Sequence, residues 1–563
     1  MPAAENRSQA EIVKESSAHL RGTIIEELSL PAPNFSKQAV QILKFHGIYQ
    51  QSDRDNRKAG KGYEYSAMVR VGVPGGALTP EQYLALDRMA DEAGDGGLRI
   101  TTRQDVQYHR VGKTNLAALV QSINRNLLTT LAACGDVVRN TTCCPAPLSG
   151  LHDELQAYAL ALSRRLKPKT RAYYEIWLDG EKAIAAQAPE EEPLYGTAYL
   201  PRKFKIGLAP PGDNCIDLYT NDLGIVPVVR DGVIRAFTLL AGGGMGMSPG
   251  VKTTHPRLAD PICTVAPELL ERAAEAVVTI HRDYGNRENR KLARLKYVLD
   301  DWGVARFRTE LETRVGAPLA DPEPLSWNNE CDHLGWQQQG PDAWFLGLHV
   351  PSGRVKDVDA APLRTCLREI IERYRPTVRL TPQQNILLGG IRERDRAAVE
   401  ESLRSFGVPL PSSLLPLVRD ALACPALPTC GLAITEAERA LPGLLGQIHA
   451  AQEAASIGRE ALTVRVTGCP NGCARPYTSE IGIVGQSVEL YTLYLGASHL
   501  GTRMGFAFAD NVRAREIGQT LQPVFELYRR ERSGGERFGD FCNRVGRDRL
   551  REVREAASAE VPG

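Results

Sequence analysis

The chain has 563 residues, 43% apolar and 24% charged, enough to bury several hydrophobic cores. Its 68 basic and 67 acidic side chains leave a net charge of +1, which excludes a whole-chain attraction to nucleic acid or to an anionic membrane surface and makes any anion site a local one. The opening MPAAENRSQAEIVKESSAHLRG has no apolar h-region and no stretch has the length of a membrane span, so the sequence reads as cytoplasmic, with its twelve cysteines as reduced thiols or metal ligands rather than a disulfide framework.

Residues 65–111 begin with an alternating apolar strand, YSAMVRVGV, closed by a Pro-x-Gly turn. They continue through a helical period, an LRIT strand, a Gln-containing turn and another strand. Residues 343–391 repeat that order, from AWFLGLHVPSG to VRLTPQQNILLGGI. The pattern predicts a strand–helix–strand–strand unit used twice. Two such units could pair into one continuous sheet with pseudo-twofold symmetry, and interfaces of that kind often hold cofactors. Chance likeness between two common α/β units is the alternative.

Between the repeats, residues 132–337 mix predicted strands (YYEIWLDG, DLYTNDLGIVPVV) with predicted helices (PELLERAAEAVVTIHRDYG, RKLARLKYVLDDWGVARFRTELETRVG). The glycine-rich AGGGMGMSPG, 241–250, departs from G-x-G-x-x-G and follows no clear βαβ frame, so it is not read as a dinucleotide site. Close approach of backbone to a flat ligand is one use of so many glycines, and a flexible loop is the other. Without a nucleotide fingerprint, electrons from a nicotinamide would have to arrive through another protein.

Several basic residues fall inside apolar strand patterns. AMVRVGV holds Arg70, LRITTRQ holds Arg99 and Arg103, and GDVVRNTT holds Arg139. PRKFKIGLA, 201–209, sets Lys203 and Lys205 two apart, where a strand would point both to one face. Such charges are costly to bury without a partner. Any one of them could sit on a solvated face, but an anionic ligand would compensate several at once. The arginine fork suits a planar oxyanion or carboxylate, and lysine offers a point charge and a proton.

The last third carries two close cysteine pairs. ACPALPTCG holds Cys424 and Cys430; TGCPNGCARP, 467–476, holds Cys469 and Cys473 around a Pro-Asn-Gly turn. ALTVRVTG reads as a strand running into Cys469 and EIGIVG as the strand after the turn, a rigid mounting. Neither spacing is C-x-x-C. Four thiolates are a full set for an iron–sulfur cluster or a structural zinc.

These residues resemble the sulfite/nitrite reductase family, whose members carry sirohaem and a [4Fe–4S] cluster, and among them the assimilatory sulfite-reducing haemoproteins. The likeness runs over nearly the whole chain: LRGTIIEEL, LKFHGIYQQSDRDNR, LRITTRQDVQYH, YLPRKFK, IDLYTNDLG, GGGMG, RKLARLKY, ACPALPTC and VTGCPNGC all look like family signatures. It implies a mixed α/β, or α+β, pseudo-twofold fold with three domains around a central cofactor site. An N-terminal arm (1–64) would precede two ferredoxin-like halves (65–131 and 338–410) that form one domain; residues 132–337 and 411–563 would be two further α/β domains. By the resemblance, Cys424, Cys430, Cys469 and Cys473 ligate the cluster, and Cys473 is also the axial ligand of the sirohaem iron. Arg70, Arg139, Lys203 and Lys205 match the residues that bind the substrate oxyanion. Thr101, Arg103, Gln107, Arg294 and Asn471 match positions beside the sirohaem. The implied reaction is the six-electron reduction of sulfite to sulfide, with electrons from an NADPH-linked flavoprotein subunit or from ferredoxin. No nucleic acid and no membrane is expected.

Nitrite reduction to ammonia on the same cofactors is the nearest alternative; a structural-zinc protein and a cluster-based redox sensor are others. Cys143 and Cys144 follow Arg139 closely and are read as bordering the active site. Some relatives join a tyrosine to a cysteine near the sirohaem, and Tyr49 is a candidate partner for Cys143 or Cys144.

Overall fold

A computed structural model describes residues 7–58, 60, 62–170, 172, 177–178, 181–182, 192–329 and 332–559. The first repeat forms β1 (Ile48–Ser52), β2 (Tyr65–Val71), β3 (Ala77–Leu78), α1 (Pro80–Ala93), β4 (Leu98–Ile100) and β5 (Val106–Val111). Local sequence explains the start of α1: Thr79 Oγ1 accepts from the Gln82 N–H at 3.2 Å, the Gln82 side chain returns to the Thr79 N–H at 3.1 Å, and Pro80 takes the first helical position. The next region forms β6 (Thr142–Cys143), β7 (Ile206–Leu208), β8 (Leu223–Arg230), β9 (Val233–Ala241), β10 (Asp260–Val265), α2 (Leu270–Tyr284) and α3 (Leu295–Val315). The second repeat follows as β11 (Gly335–Gly340), β12 (Ala343–Leu348), β13 (Arg354–Val355), α4 (Leu363–Tyr374), β14 (Thr377–Leu380) and β15 (Ile386–Arg392). The C-terminal region contributes β16 (Leu422–Ala423), β17 (Val464–Thr467), β18 (Ile481–Ser487), β19 (Leu490–Leu495) and β20 (Phe506–Arg513). Of the predicted strand YYEIWLDG, only Trp177–Leu178 is described; the rest lies outside the described residues.

The strand–helix–strand–strand unit occurs twice, but the two copies do not make one continuous sheet. They form two five-stranded sheets, β1-β2-β5-β4-β13 and β11-β12-β15-β14-β3. Each sheet takes its last strand from the other repeat: β13 pairs with β4, and β3 with β14. One hydrophobic core, from Val69 and Leu86 to Leu367 and Leu388, serves both. The turns TTRQD and TPQQN close alike. Thr101 N–H donates to Asp105 O and Thr381 N–H to Asn385 O, each at 2.9 Å. Gln104 and Gln384 both take left-handed φ, 57° and 67°.

The exchange brings backbones into near contact. Gly353 has φ +73°, and a Cβ there would lie 2.2 Å from Ile100 O; its counterpart Gly76, also at φ +73°, would meet Leu380 O at 2.3 Å. Gly353→Ala is therefore expected to lower stability by about 2–3 kcal/mol through left-handed strain plus overpacking, read as an earlier urea midpoint. An unchanged midpoint would show that the crossing is loose.

The other two sheets share a plan with each other. The order β10-β9-β8-β7-β6 corresponds to β20-β19-β18-β17-β16, with two parallel pairings at the β6 or β16 edge and antiparallel pairings beyond. Each has its own core. Among the residues before β1, Val13 and Leu20 join the first of these cores. A buried carboxylate ties the two together: Asp217, from the loop after β7, meets Arg465 at 2.9 Å and Arg475 at 2.5 Å, both C-terminal residues.

Candidate active site

The four cysteines of the two close pairs sit on turns at the ends of β16 and β17. Cys424 and Cys469 are buried, Cys430 is half-buried and Cys473 is exposed. The Pro-Asn-Gly turn closes because Gly472 takes φ +62°, where a Cβ would press within 2.9 Å of the Tyr477 ring. Donors already point at sulfur: Gly468 N–H reaches Cys424 Sγ at 3.4 Å, and Asn471 Nδ2 reaches Cys469 Sγ at 3.5 Å. Burial, with the charge of Cys473 next, pushes the Cys469 thiol up to about 11 and raises Cys424 as well. A cationic metal core is what would let all four ionise. Among the described residues no three of these sulfurs lie within 4.8 Å of one another. A single zinc would draw thiolate sulfurs to about 3.8 Å apart, given bonds of about 2.3 Å. Four thiolates held farther apart than one zinc would draw them are the donor number of a [4Fe–4S] cluster.

Cys473 opens toward a cluster of cations, and Arg70, Lys203 and Lys205 all lie within reach of its charge. Lys203 and Lys205 are not inside a strand, as the spacing suggested. They precede β7, on either side of Phe204, which makes an isolated bridge with Val138. The alternation nevertheless holds, because Phe204 is fully buried and both lysines are half-buried. Neither ammonium has a hydrogen-bond or ion-pair partner among the described residues. Burial, then the charges of Arg294 and Arg202, brings Lys203 down to about 7. Burial and Lys203 itself hold Lys205 well below the ordinary lysine range.

The other predicted cations are already partnered by protein. Arg70, in β2, faces Gln107 across the ladder to β5. With its amide oxygen turned to Arg70, Gln107 accepts from Nη2 at 2.6 Å and Nε at 3.1 Å, and Asp105 stands 3.9 Å off. Arg139 is not on a strand; its Nε donates to Gly135 O at 2.7 Å. Arg103 is buried in the TTRQD turn and donates to Asn221 Oδ1 (2.6 Å), Thr142 Oγ1 (3.3 Å), Ile206 O (2.9 Å) and Asn140 O, leaving only its buried Nε without a partner. Thr101 Oγ1 accepts from the Arg103 and Asp105 amides at 3.1 and 3.2 Å, so it shapes this turn. Arg294 makes a two-pronged ion pair with buried Asp222, Nε to Oδ1 at 3.1 Å and Nη2 to Oδ2 at 2.8 Å. Asp222 also accepts the Lys205 backbone N–H at 2.9 Å, so it positions the lysine loop.

Sequence reasoning assigned these buried charges to a ligand and missed Asp222, Asp105 and Asn221. The run TND, 220–222, was the available signal, being polar side chains immediately ahead of a buried strand. The glycine-rich loop contacts protein as well. A Cβ on Gly243 would overlap Tyr219 O at 2.2 Å, and Met247 N–H donates to Pro470 O at 3.0 Å, tying this loop to the cysteine turn. The thiol whose charge acts most on the Tyr49 phenol is Cys134, after burial the largest cause of its raised pKa.

Fold and site together define a duplicated α+β redox scaffold, in which four cysteines on two turns stand near two half-buried lysines that have no protein partner among the described residues. Comparison with known proteins agrees. The nitrite and sulphite reductase 4Fe-4S domain matches residues 159–319 and 417–560, and the nitrite/sulfite reductase ferredoxin-like half domain matches 57–126 and 337–406. The ferredoxin sulfite reductase of Synechococcus elongatus is 42% identical over 99% of this chain and 93% of its own. The NADPH sulfite reductase hemoprotein beta-component of Shewanella pealeana is 44% identical over 95% and 96%. The solved NirA protein of Mycobacterium tuberculosis superposes with a TM-score of 0.79 at 25% identity, covering 96% of this chain and 97% of that one. The chain belongs to the nitrite and sulfite reductase family.

Proposed function

We propose that Cys424, Cys430, Cys469 and Cys473 bind the [4Fe–4S] cluster, that Cys473 also ligates the sirohaem iron, and that Arg70, Arg139, Lys203 and Lys205 receive sulfite. The chain is a sulfite reductase with these two cofactors, as its full-length relatives indicate. The observation that carries the site reading is the pair of unpartnered ammoniums beside the one exposed cysteine of the four. When bound, the coupled centres supply the six electrons that turn sulfite and six protons into sulfide and three waters. The residues supply the rest. Arg70, held flat by Gln107, offers an oriented guanidinium to an oxyanion. The lysine charges offset those of sulfite and of the sirohaem carboxylates, and an ammonium can give its proton to a departing oxygen. Thr101, Arg103, Gln107, Arg294 and Asn471 border the macrocycle in this reading, with Arg103 and Arg294 serving largely to fix the wall.

The division into an N-terminal arm 1–64, a domain of 65–131 with 338–410, and the domains 132–337 and 411–563, around a central cofactor site, is part of the proposal. The electron donor is a ferredoxin or an NADPH-linked flavoprotein; the names of the relatives carry ferredoxin in one case and NADPH in the other. Among the described residues no helix is long and apolar enough to cross a membrane. A cytoplasmic setting fits the eleven described cysteines, all free thiols. The test is the visible spectrum with iron and acid-labile sulfide analysis, on protein from cells that make sirohaem, followed by turnover with reduced methyl viologen. Sirohaem bands and faster reduction of sulfite than of nitrite are expected. A protein without tetrapyrrole bands, or one that prefers nitrite, would overturn the reading.

A further inference from the structure

Away from the candidate cluster, a second set of ligating side chains converges from three segments. Cys144 follows β6, Asp213 and Cys215 lie in the loop after β7, and His333 precedes β11. One ligand atom from each lies within 4.8 Å of all the others, and among the described residues this is the only such group. Cys144 Sγ is 3.5 Å from His333 Nε2 and 3.6 Å from Asp213 Oδ2, and His333 Nε2 is 2.8 Å from Asp213 Oδ2. Tetrahedral zinc bonds of about 2.0–2.3 Å place neighbouring ligand atoms about 3.3–3.8 Å apart. Two of the three distances already match, and the third is a hydrogen bond that an ion would widen. The cysteines and the histidine are buried and Asp213 is half-buried. The other oxygen of Asp213 is held by Asn329 Nδ2 at 3.1 Å and the Cys215 amide at 2.9 Å, which aims Oδ2 at the group.

The duplication explains why the set exists. CCPAP after β6 corresponds to ACPAL after β16, and CIDLYT after β7 to CARPYT after β17. Both latter loops take a left-handed residue, Asp217 (φ 50°, ψ 56°) and Arg475 (φ 57°, ψ 49°), just before one turn of 3-10 helix. Cys144 thus stands where the other copy has Cys424, Cys215 where it has Cys473, and Asp213 where it has Asn471. The position of Cys469 holds Pro211, and His333 arrives from a different segment.

We propose that Cys144, Asp213, Cys215 and His333 bind one zinc ion, a structural site at the pseudo-twofold counterpart of the iron–sulfur centre. The donor set suits zinc: two soft thiolates with an imidazole and a carboxylate, four ligands and no open position. The ion would pin the loop after β7 to the second repeat, where Gln383 Nε2 already donates to Cys215 O at 3.1 Å.

The test is metal analysis of the purified holoprotein after dialysis in metal-free buffer, with zinc-edge X-ray absorption. About one zinc per chain is expected, with two sulfur neighbours at about 2.3 Å and nitrogen or oxygen neighbours completing the shell. Cys215→Ser and His333→Ala should each lose most of that zinc while iron content and sirohaem absorption stay unchanged. A protein that neither contains zinc nor takes up added zinc chloride against a micromolar chromophoric chelator would overturn the proposal. Four sulfur neighbours would do so too, because the zinc would then sit on the iron centre's cysteines. Should the variants fail to fold, the sulfur count and the zinc titration on the unaltered protein still decide.

Discussion

Cys473→Ser is expected to lower sulfite turnover by roughly a thousandfold or more, about 4 kcal/mol in activation free energy, with loss or marked change of the tetrapyrrole bands. A serine oxygen is a harder and far less acidic donor than a thiolate, so it would hold neither iron centre well. Of the four cysteines, Cys473 alone is exposed, and its charge reaches Arg70, Lys203 and Lys205. Its backbone is fixed from the first repeat, because Thr102 Oγ1 donates to Cys473 O at 3.2 Å. The exposed sulfur is thus aimed by the scaffold rather than left loose. Cys430→Ser is the control. It should impair the cluster while leaving the haem bands closer to those of the unaltered protein. If Cys473→Ser keeps activity, iron and spectrum, this thiol joins neither centre.

Lys203→Met and Lys205→Met are expected to lower kcat by about 10²–10⁴-fold for whichever lysine gives protons, with sirohaem and iron content unchanged. A lysine can donate only while protonated, so the rate should fall as pH rises through its pKa. Burial, then Arg294 and Arg202, brings Lys203 down to about 7. The carboxylates of sirohaem and the bound oxyanion act in the opposite sense, so the alkaline limb belongs above that value. The methionine variant of the lysine that gives the proton should abolish the limb. Lys203→Arg keeps charge without a usable proton, so it should spare KM more than kcat. Unchanged turnover in both methionine variants would remove the lysines from the chemistry.

Much of this was legible in the chain. The twofold unit showed in VPGG against VPSG and TTRQ against TPQQ, because each copy needs the same turns. The cysteine pairs showed because strands of ordinary composition run straight into them. What stayed hidden depends on partners far apart in sequence. The exchanged strands are two residues long, too short to carry a periodicity. Arg294 and Arg103 looked like ligand-binding charges because Asp222 and Asn221, which satisfy them, are unremarkable residues until the loop after β7 folds over them. The likeness of CCPAP to ACPAL went unread for the same reason: only the matching sheets show that the outer domains are copies too.

The exchange of β3 and β13 also has a temporal meaning. A chain emerging from the ribosome can build β1, β2, β5 and β4 early, yet that sheet lacks its edge until residues 354–355 appear. The second sheet, in turn, needs β3, made long before. Neither half can finish alone, so their shared core should close late and in one cooperative step, after the intervening domain has been synthesised. Until then an unpaired strand edge is exposed on the nascent chain, which makes this junction the place where chaperone attention or misassembly would concentrate.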